Sequence, residues 1–273
     1  LIKVKLNQSE RLLALKKAGV LGDQEMWRYV MNDGYNLSEQ VFTRTKVAKN
    51  EVLATGGLTI HENNLDLEID YGIPNDNKNL SITIDTNADV PAQIEAIIQL
   101  AIEQGVVIDT IVTSRRVINQ IRGNKSVQTV INGVNAIGAS VTSQALANWL
   151  STEYGINRVV TNDLTYNAAT GTDSDGLPLV TIRKYYPEDK ITFLATNNAG
   201  RIGVGLWGDP PEVELARFGK PVSTSNSASP YVYITQYTEN DPAVVWTKAS
   251  GLFVPVVYNP TTIFIATVTT TGA

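Results

Sequence analysis

The sequence predicts an α+β subunit in which one long amphipathic helix acts as a spine for β-structure and a central α/β region is inserted. Three observations predict it. Met26, Trp27, Val30, Leu37, Val41, Ala48 and Val52 form one apolar stripe at helical spacing between Asp23 and Thr55. Leu65 to Asp70 alternates strictly, with Leu65, Leu67 and Ile69 on one face and Asp66, Glu68 and Asp70 on the other. From Val106 to Thr161, strand and helix patterns take turns.

In order, Leu1 to Leu6 alternates as a strand, and Ser9 to Ala18 reads as a short helix with Leu12, Leu13 and Leu15 inside. The chain opens on Leu1 rather than Met, so it is expected to begin partway through a longer product. The spine follows. Asp23 is its N-cap and Glu25 lies in the first turn. Lys46 and Lys49 sit near the far end, and Gly56-Gly57 supplies the stop. At 1.5 Å per residue it would be about 50 Å long. Asn32, Gly34, Asn36 and Thr43 are poor helix formers, so packing along its length must hold it.

A hairpin comes next, Leu58-Thr59-Ile60 turning through His61 to Asn64 into Leu65 to Asp70. Its apolar face is expected to cover the spine, and its acidic face to meet solvent or a neighbouring molecule. Leu80 to Ile84 is a strand. Asp89-Val90-Pro91 opens a helix carrying Ile94, Ile97, Ile98, Ala101 and Ile102 inward, with Gly105 as its end. Val106 to Val112 reads as a buried strand, and Ser114 to Ile121 as a helix. Val127, Val130, Ile131 and Val134 form a further helical stripe. Thr142 to Tyr154 is a helix stopped by Gly155, Arg158 to Thr161 a strand, and Tyr166 to Pro178 a polar tip. The remaining strands are Val180 to Tyr186, Ile191 to Ala195, Ile202 to Leu206, Tyr231 to Tyr237, Val244 to Ala249, Phe253 to Tyr258 and Ile263 to Val268.

Composition narrows the function classes. The 273-residue chain has a net charge of −5, with short basic clusters at Lys16-Lys17, Arg115-Arg116 and Arg183-Lys184 but no basic stripe interleaved with aromatics. That argues against sequence-specific nucleic-acid reading. Cysteine is absent, which removes disulfides and thiolate metal sites. No apolar run reaches the length of a membrane span.

Chemical motifs stay at background. Gly203-Val-Gly205-Leu-Trp-Gly208 matches GxGxxG, but Asp209-Pro210-Pro211 follows where a phosphate-cradling helix should continue. Asp173-Ser-Asp175-Gly176 resembles part of a calcium loop, yet Gly171 and Ile182 stand where the first ligand and the closing Glu belong. His61 is the only histidine and no nucleophile elbow exists. Trp27, Trp149, Trp207 and Trp246 read as core or interface fillers. No catalytic residue, cofactor site or metal site is assigned, and the chain is read as non-enzymatic.

Several stretches together resemble a known family. The spine ending at Ala54-Thr55-Gly56-Gly57-Leu58-Thr59-Ile60, then Leu67-Glu68-Ile69-Asp70-Tyr71-Gly72-Ile73-Pro74, is similar to the spine helix and hairpin of tailed-phage major capsid proteins of the lambda-type E family. Gly205 to Glu212 and Phe253 to Pro260 resemble late segments of that family. The resemblance implies the Hong Kong 97-like capsid fold, with a peripheral β-sheet and hairpin and a central α/β axial domain. It places 1–22 at the end of an E-loop with a short helix, 23–105 with 226–250 in a peripheral domain, and 106–225 with 251–273 in an axial domain.

It also implies a virion shell subunit assembled in the host bacterial cytoplasm. Its partners would be copies of itself in hexamers and pentamers, portal and scaffolding proteins, and a decoration protein. An encapsulin-like nanocompartment shell and an α/β enzyme are the alternatives. Pairing of Asp66, Glu68 and Asp70 with Arg44 or Lys49 of a neighbouring copy is the expected assembly contact.

Overall fold

The computed structural model describes residues 1–8, 23–62, 65–85, 88–136, 138–172, 178–196, 201–217, 223–224, 231–240 and 243–270. The short helix expected at Ser9 to Ala18 and the Asp173–Gly176 loop lie outside them, as do the side chains of Met26, Trp27 and Val30.

Along the chain run β1 (Ile2–Gln8), α1 (Asp23–Thr55), β2 (Gly57–Glu62), β3 (Leu65–Asp70), α2 (Asn75–Lys78), β4 (Leu80–Thr83), α3 (Val90–Glu103), β5 (Thr110–Thr113), α4 (Arg115–Gly123), α5 (Lys125–Asn132) and α6 (Ser143–Tyr154). Then follow β6 (Arg158–Thr161), β7 (Thr165–Thr172), β8 (Pro178–Lys184), β9 (Lys190–Leu194), β10 (Gly203–Gly208), α7 (Pro211–Arg217), β11 (Ser223–Thr224), β12 (Tyr233–Asn240), β13 (Ala243–Val257) and β14 (Ile263–Thr269). The spine is thus one 33-residue helix, as its stripe predicts. The chain divides into two compact units, Leu1–Lys46 with Gly205–Val256, and Val47–Val204 with Val257–Ala273.

In the first unit β1, β13, β12 and β11 pair in that order, and β10 also pairs with β13. Leu37 and Val41 of α1 pack against Val232, Ile234 and Ala249, with Ile2, Val4, Phe42 and Trp207 at the margin. Gly34 lets the helix approach the sheet, since a Cβ there would stand 3.2 Å from Ile234 Cδ1. Ser38, also buried, returns its hydroxyl to the Gly34 carbonyl at 2.9 Å and so leaves nothing polar exposed to the core.

The two strands expected at Val244–Ala249 and Phe253–Tyr258 are one strand of 15 residues. Ser250-Gly251 looks like a turn in sequence, but Gly251 is there for closeness. A Cβ on it would lie 2.9 Å from Val41 Cγ1 and 3.2 Å from Trp207 Cζ3. Trp207 is the aromatic hub here. It stacks on Tyr231 at 5.5 Å and meets Phe253 and Phe42 edge-on at 5.0 and 5.8 Å.

The second unit is built on a mixed sheet in the order β4-β14-β9-β5-β6, parallel at β4/β14 and β5/β6 and antiparallel between. Period two sorts its two faces. Ile111, Phe193, Phe264 and Ala266 look toward α3–α6, meeting Ile94, Val117, Ile121, Leu146 and Leu150. Val112, Leu194, Ile263 and Ile265 look the other way, onto Ala54, Ile73 and Tyr186. Each covering helix starts on a side-chain cap: Asp89 accepts from Ala92 N–H, Ser114 from Val117, Asn124 from Val127 and Thr142 from Ala145.

Two more expectations change. The strand expected from Val106 starts only at Thr110, because Val106 N–H bonds back to Ala101 C=O at 2.8 Å and Val107 is exposed. Much of the expected polar tip is strand: β7 runs to Thr172 and pairs with β8, its Thr and Tyr residues being polar yet well suited to a pleated ribbon.

Candidate assembly surfaces

The last turns of α1 set the position of the acidic hairpin. Gly56 takes a left-handed φ of 76°, and its N–H closes on Val52 C=O at 2.9 Å, ending the helix. Glu51 then accepts Thr59 N–H at 2.9 Å, tying β2 to the helix. Thr192 donates to Leu53 C=O at 2.7 Å, filling one of the acceptors a helix end leaves open. Since that bond uses the Thr192 proton, the Tyr186 hydroxyl 2.7 Å away is the donor of their pair. Burial drives the Tyr186 phenol above its ordinary range.

Asp66, Glu68 and Asp70 share one exposed face of β3, as their alternation predicts. They are not equivalent. Asp70 accepts Gly72 N–H at 2.8 Å and pairs with Lys78 at 3.1 Å, and these bonds hold its carboxyl below the usual carboxylate range, the backbone bond contributing most. Its role is local, locking the turn that leads into Ile73. The opposite face of the hairpin does not form the continuous apolar cover expected. Leu58 is buried, but Leu67 is 41% exposed, because β2 and β3 form a separate two-stranded sheet. Of the expected basic partners, Arg44 is half-buried and Lys49 exposed.

A charge cluster that sequence reasoning missed lies in the first unit. Glu212, near the start of α7, is 5% exposed, and its Oε1 receives Lys3 Nζ from β1 and Lys248 Nζ from β13, both at 2.7 Å. Burial by itself would raise this carboxyl, but the two ammonium bonds outweigh it and hold it down to about 2. Its Oε2 is buried with no partner among the described residues. The only sequence signal was the Asp-Pro-Pro-Glu run, which marks a short helix start but says nothing of lysines more than 30 residues away on either side. Beside the cluster, Lys5 stands 4.5 Å over the Trp246 ring, so β1 is fastened to β13 by charge as well as by its ladder.

The glycine motif Gly203–Gly208 forms extended β10, not a turn feeding a helix, and so makes no phosphate cradle. Among the described residues no group of three possible metal ligands converges, and no helix is long and apolar enough to cross a membrane.

The model of the family described as phage major capsid protein E matches residues 8–268. Among solved structures, a crystal structure described as a prophage capsid protein from Escherichia coli CFT073 shares 16% identity and a TM-score of 0.60, over 98% of this chain and 76% of that one. A phage-related protein from Bordetella bronchiseptica RB50 shares 10% identity, with a TM-score of 0.49, over 97% and 74% of the two chains. The capsid of Myoviridae phage XM1 shares 12% identity, with a TM-score of 0.47, over 98% and 72%. A search of curated proteins returns no match.

Proposed function

Because the chain belongs to the phage major capsid protein E family, we infer that its copies form hexamers and pentamers that close into an icosahedral head around double-stranded DNA. It is a shell-forming capsid protein with a Hong Kong 97-like fold, and it self-assembles. The observation that carries the reading is the extent of the family match, which takes in both compact units rather than one borrowed module.

The acidic balance of −5 suits that role: each basic contact to phosphate adds affinity, and a mildly acidic lining lets packaged DNA slide. Asp66 and Glu68 of one copy meet Arg44 or Lys49 of a neighbour. One exposed pair is worth under about 1 kcal/mol, and symmetry repeats it around the shell. The 1–22, peripheral and axial ranges describe how the chain is laid into that shell, with portal, scaffolding and decoration proteins as further partners in the host cytoplasm. The chain works as a structural protein, without turnover of a substrate.

Expression of the chain followed by electron microscopy tests this. Closed icosahedral particles that protect DNA from nuclease in infected or induced cells are expected. Dispersed monomers, or small shells filled with protein cargo, would overturn it.

A further inference from the structure

The sheet of the second unit has two unlike lateral edges. At the β4 edge the side chain of Gln93 caps the outermost strand, accepting Thr83 N–H at 2.8 Å and donating to Thr83 C=O at 3.1 Å. The helix that carries Gln93 thus occupies that edge at Thr83. Gln93 belongs to α3, whose outer face exposes Glu95, Ala96, Gln99, Ile102 and Glu103. This face is acidic and carries no basic residue. It also leaves Ile102 54% exposed between small and polar neighbours. Among the described residues neither Glu95 nor Glu103 has an ion-pair partner in its own chain.

At the β6 edge lies a groove of about 470 Å³ between α4, α6 and β6, lined by Arg115, Ile118, Arg122, Ser143, Leu146 and Val159 among others. Ile118, Leu146 and Val159 give it an apolar part, Asn119, Ser143 and Thr161 a polar one, and Arg115 and Arg122 make its rim basic. Arg122 donates from Nε to Val141 C=O and from Nη1 to Asn119 Oδ1 at 3.4 Å, which fixes the guanidinium at the groove. Arg115 is largely exposed and touches Asp163 at 3.4 Å. Asp163 also faces Lys184 at 3.9 Å, while Lys184 pairs more closely with Glu188, which Arg116 reaches at 3.4 Å. With Arg115 and Arg122, four cations meet two carboxylates at this end among the described residues.

We propose that the α3 face of one copy docks into the α4–α6–β6 groove of the next, joining the second units head to tail. The inference rests on the shell reading above, which supplies the partner. The spacing supports it. Glu95 and Glu103 are eight residues apart on α3, about 12 Å, and Arg115 and Arg122 seven apart on α4, about 10 Å. The two spacings differ by only about 1.5 Å, so Glu95 and Glu103 can reach Arg115 and Arg122 together, with Ile102, next to Glu103, entering the groove beside one of the pairs. Opposite edges carry complementary surfaces, which is the arrangement a heterologous contact needs to close into a ring. The charges choose the register and reject the wrong neighbour, while Ile102 supplies the apolar anchor.

The chain contains no cysteine, which makes the test specific. The double variant Ile102→Cys/Ser143→Cys, oxidised after assembly, should give a ladder of covalent oligomers on a denaturing gel. A mixture of the two single variants should give dimers, and either single variant alone none. Particles whose double-variant cysteines stay unlinked, or dimers from one single variant alone, overturn the docking. Independently, Glu95→Lys/Glu103→Lys should cut the assembled fraction by about tenfold, and added Arg115→Glu should recover part of it. No loss, or no recovery, overturns the pairing. Wild-type chain that forms no particles at all overturns the shell reading itself.

Discussion

Gly56 and Glu212 show how much single residues decide here. Gly56 combines φ of 76° with Ile73 Cδ1 only 2.9 Å from where a Cβ would be. Gly56→Ala therefore suffers both strain and overlap, and a loss of about 2 kcal/mol in urea unfolding is expected. Glu212 is a different case. Its carboxyl sits at about 2 when folded, against an ordinary 4.5, so the folded chain favours the charged form. The stabilisation is complete above pH 4.5 and fades as pH falls toward 2. Glu212→Gln leaves Lys3 and Lys248 facing each other over a neutral amide. It should cost about 3 kcal/mol, and it should flatten the acid limb of thermal melts followed by tryptophan fluorescence. The stop at Gly56 was legible in sequence because glycine after a helical stripe has few other uses. The Glu212 cluster was not, because its members are joined only by folding.

Among the elements, α1 and β13 are instructive in opposite ways. The bounds of α1 follow from its stripe and its stop, and the structure keeps them to the residue. The stripe is richer than apolar counting suggests. Gly34, Ser38 and Thr45 lie on the buried side as well, the two hydroxyls returned to the helix's own carbonyls. The length of β13 was hidden by Gly251, since a glycine that ends a strand and one that lets a helix approach look alike in sequence. Gly251→Ala tests the difference. Loss of about 1–3 kcal/mol is expected from crowding against Val41 and Trp207, with little effect if the residue merely turned the chain. The hairpin was placed well and its covering role overestimated. Alternation fixes which side chains share a face, but not whether anything lies against that face.

At the scale of the whole molecule, assembly should respond to charge. Asp66→Lys/Glu68→Lys/Asp70→Lys should lower the fraction sedimenting as particles far more than it lowers the monomer melt, which loses the bonds of Asp70 to Gly72 N–H and to Lys78. Raised salt should weaken wild-type assembly in the same direction, by screening exposed pairs. Normal particles from the triple variant would remove the hairpin from the contact.

The position of β14 has a further consequence. This strand occurs late in the chain, yet it lies inside the sheet, between β4 and β9, and supplies Phe264 and Ala266 to one layer and Ile263 and Ile265 to the other. Until the ribosome has passed Thr269, β4 and β9 have no common neighbour and both layers lack their middle. Folding of this unit therefore waits on the synthesis of β14, and a nascent chain presents no finished second unit to a growing particle before that strand has been made.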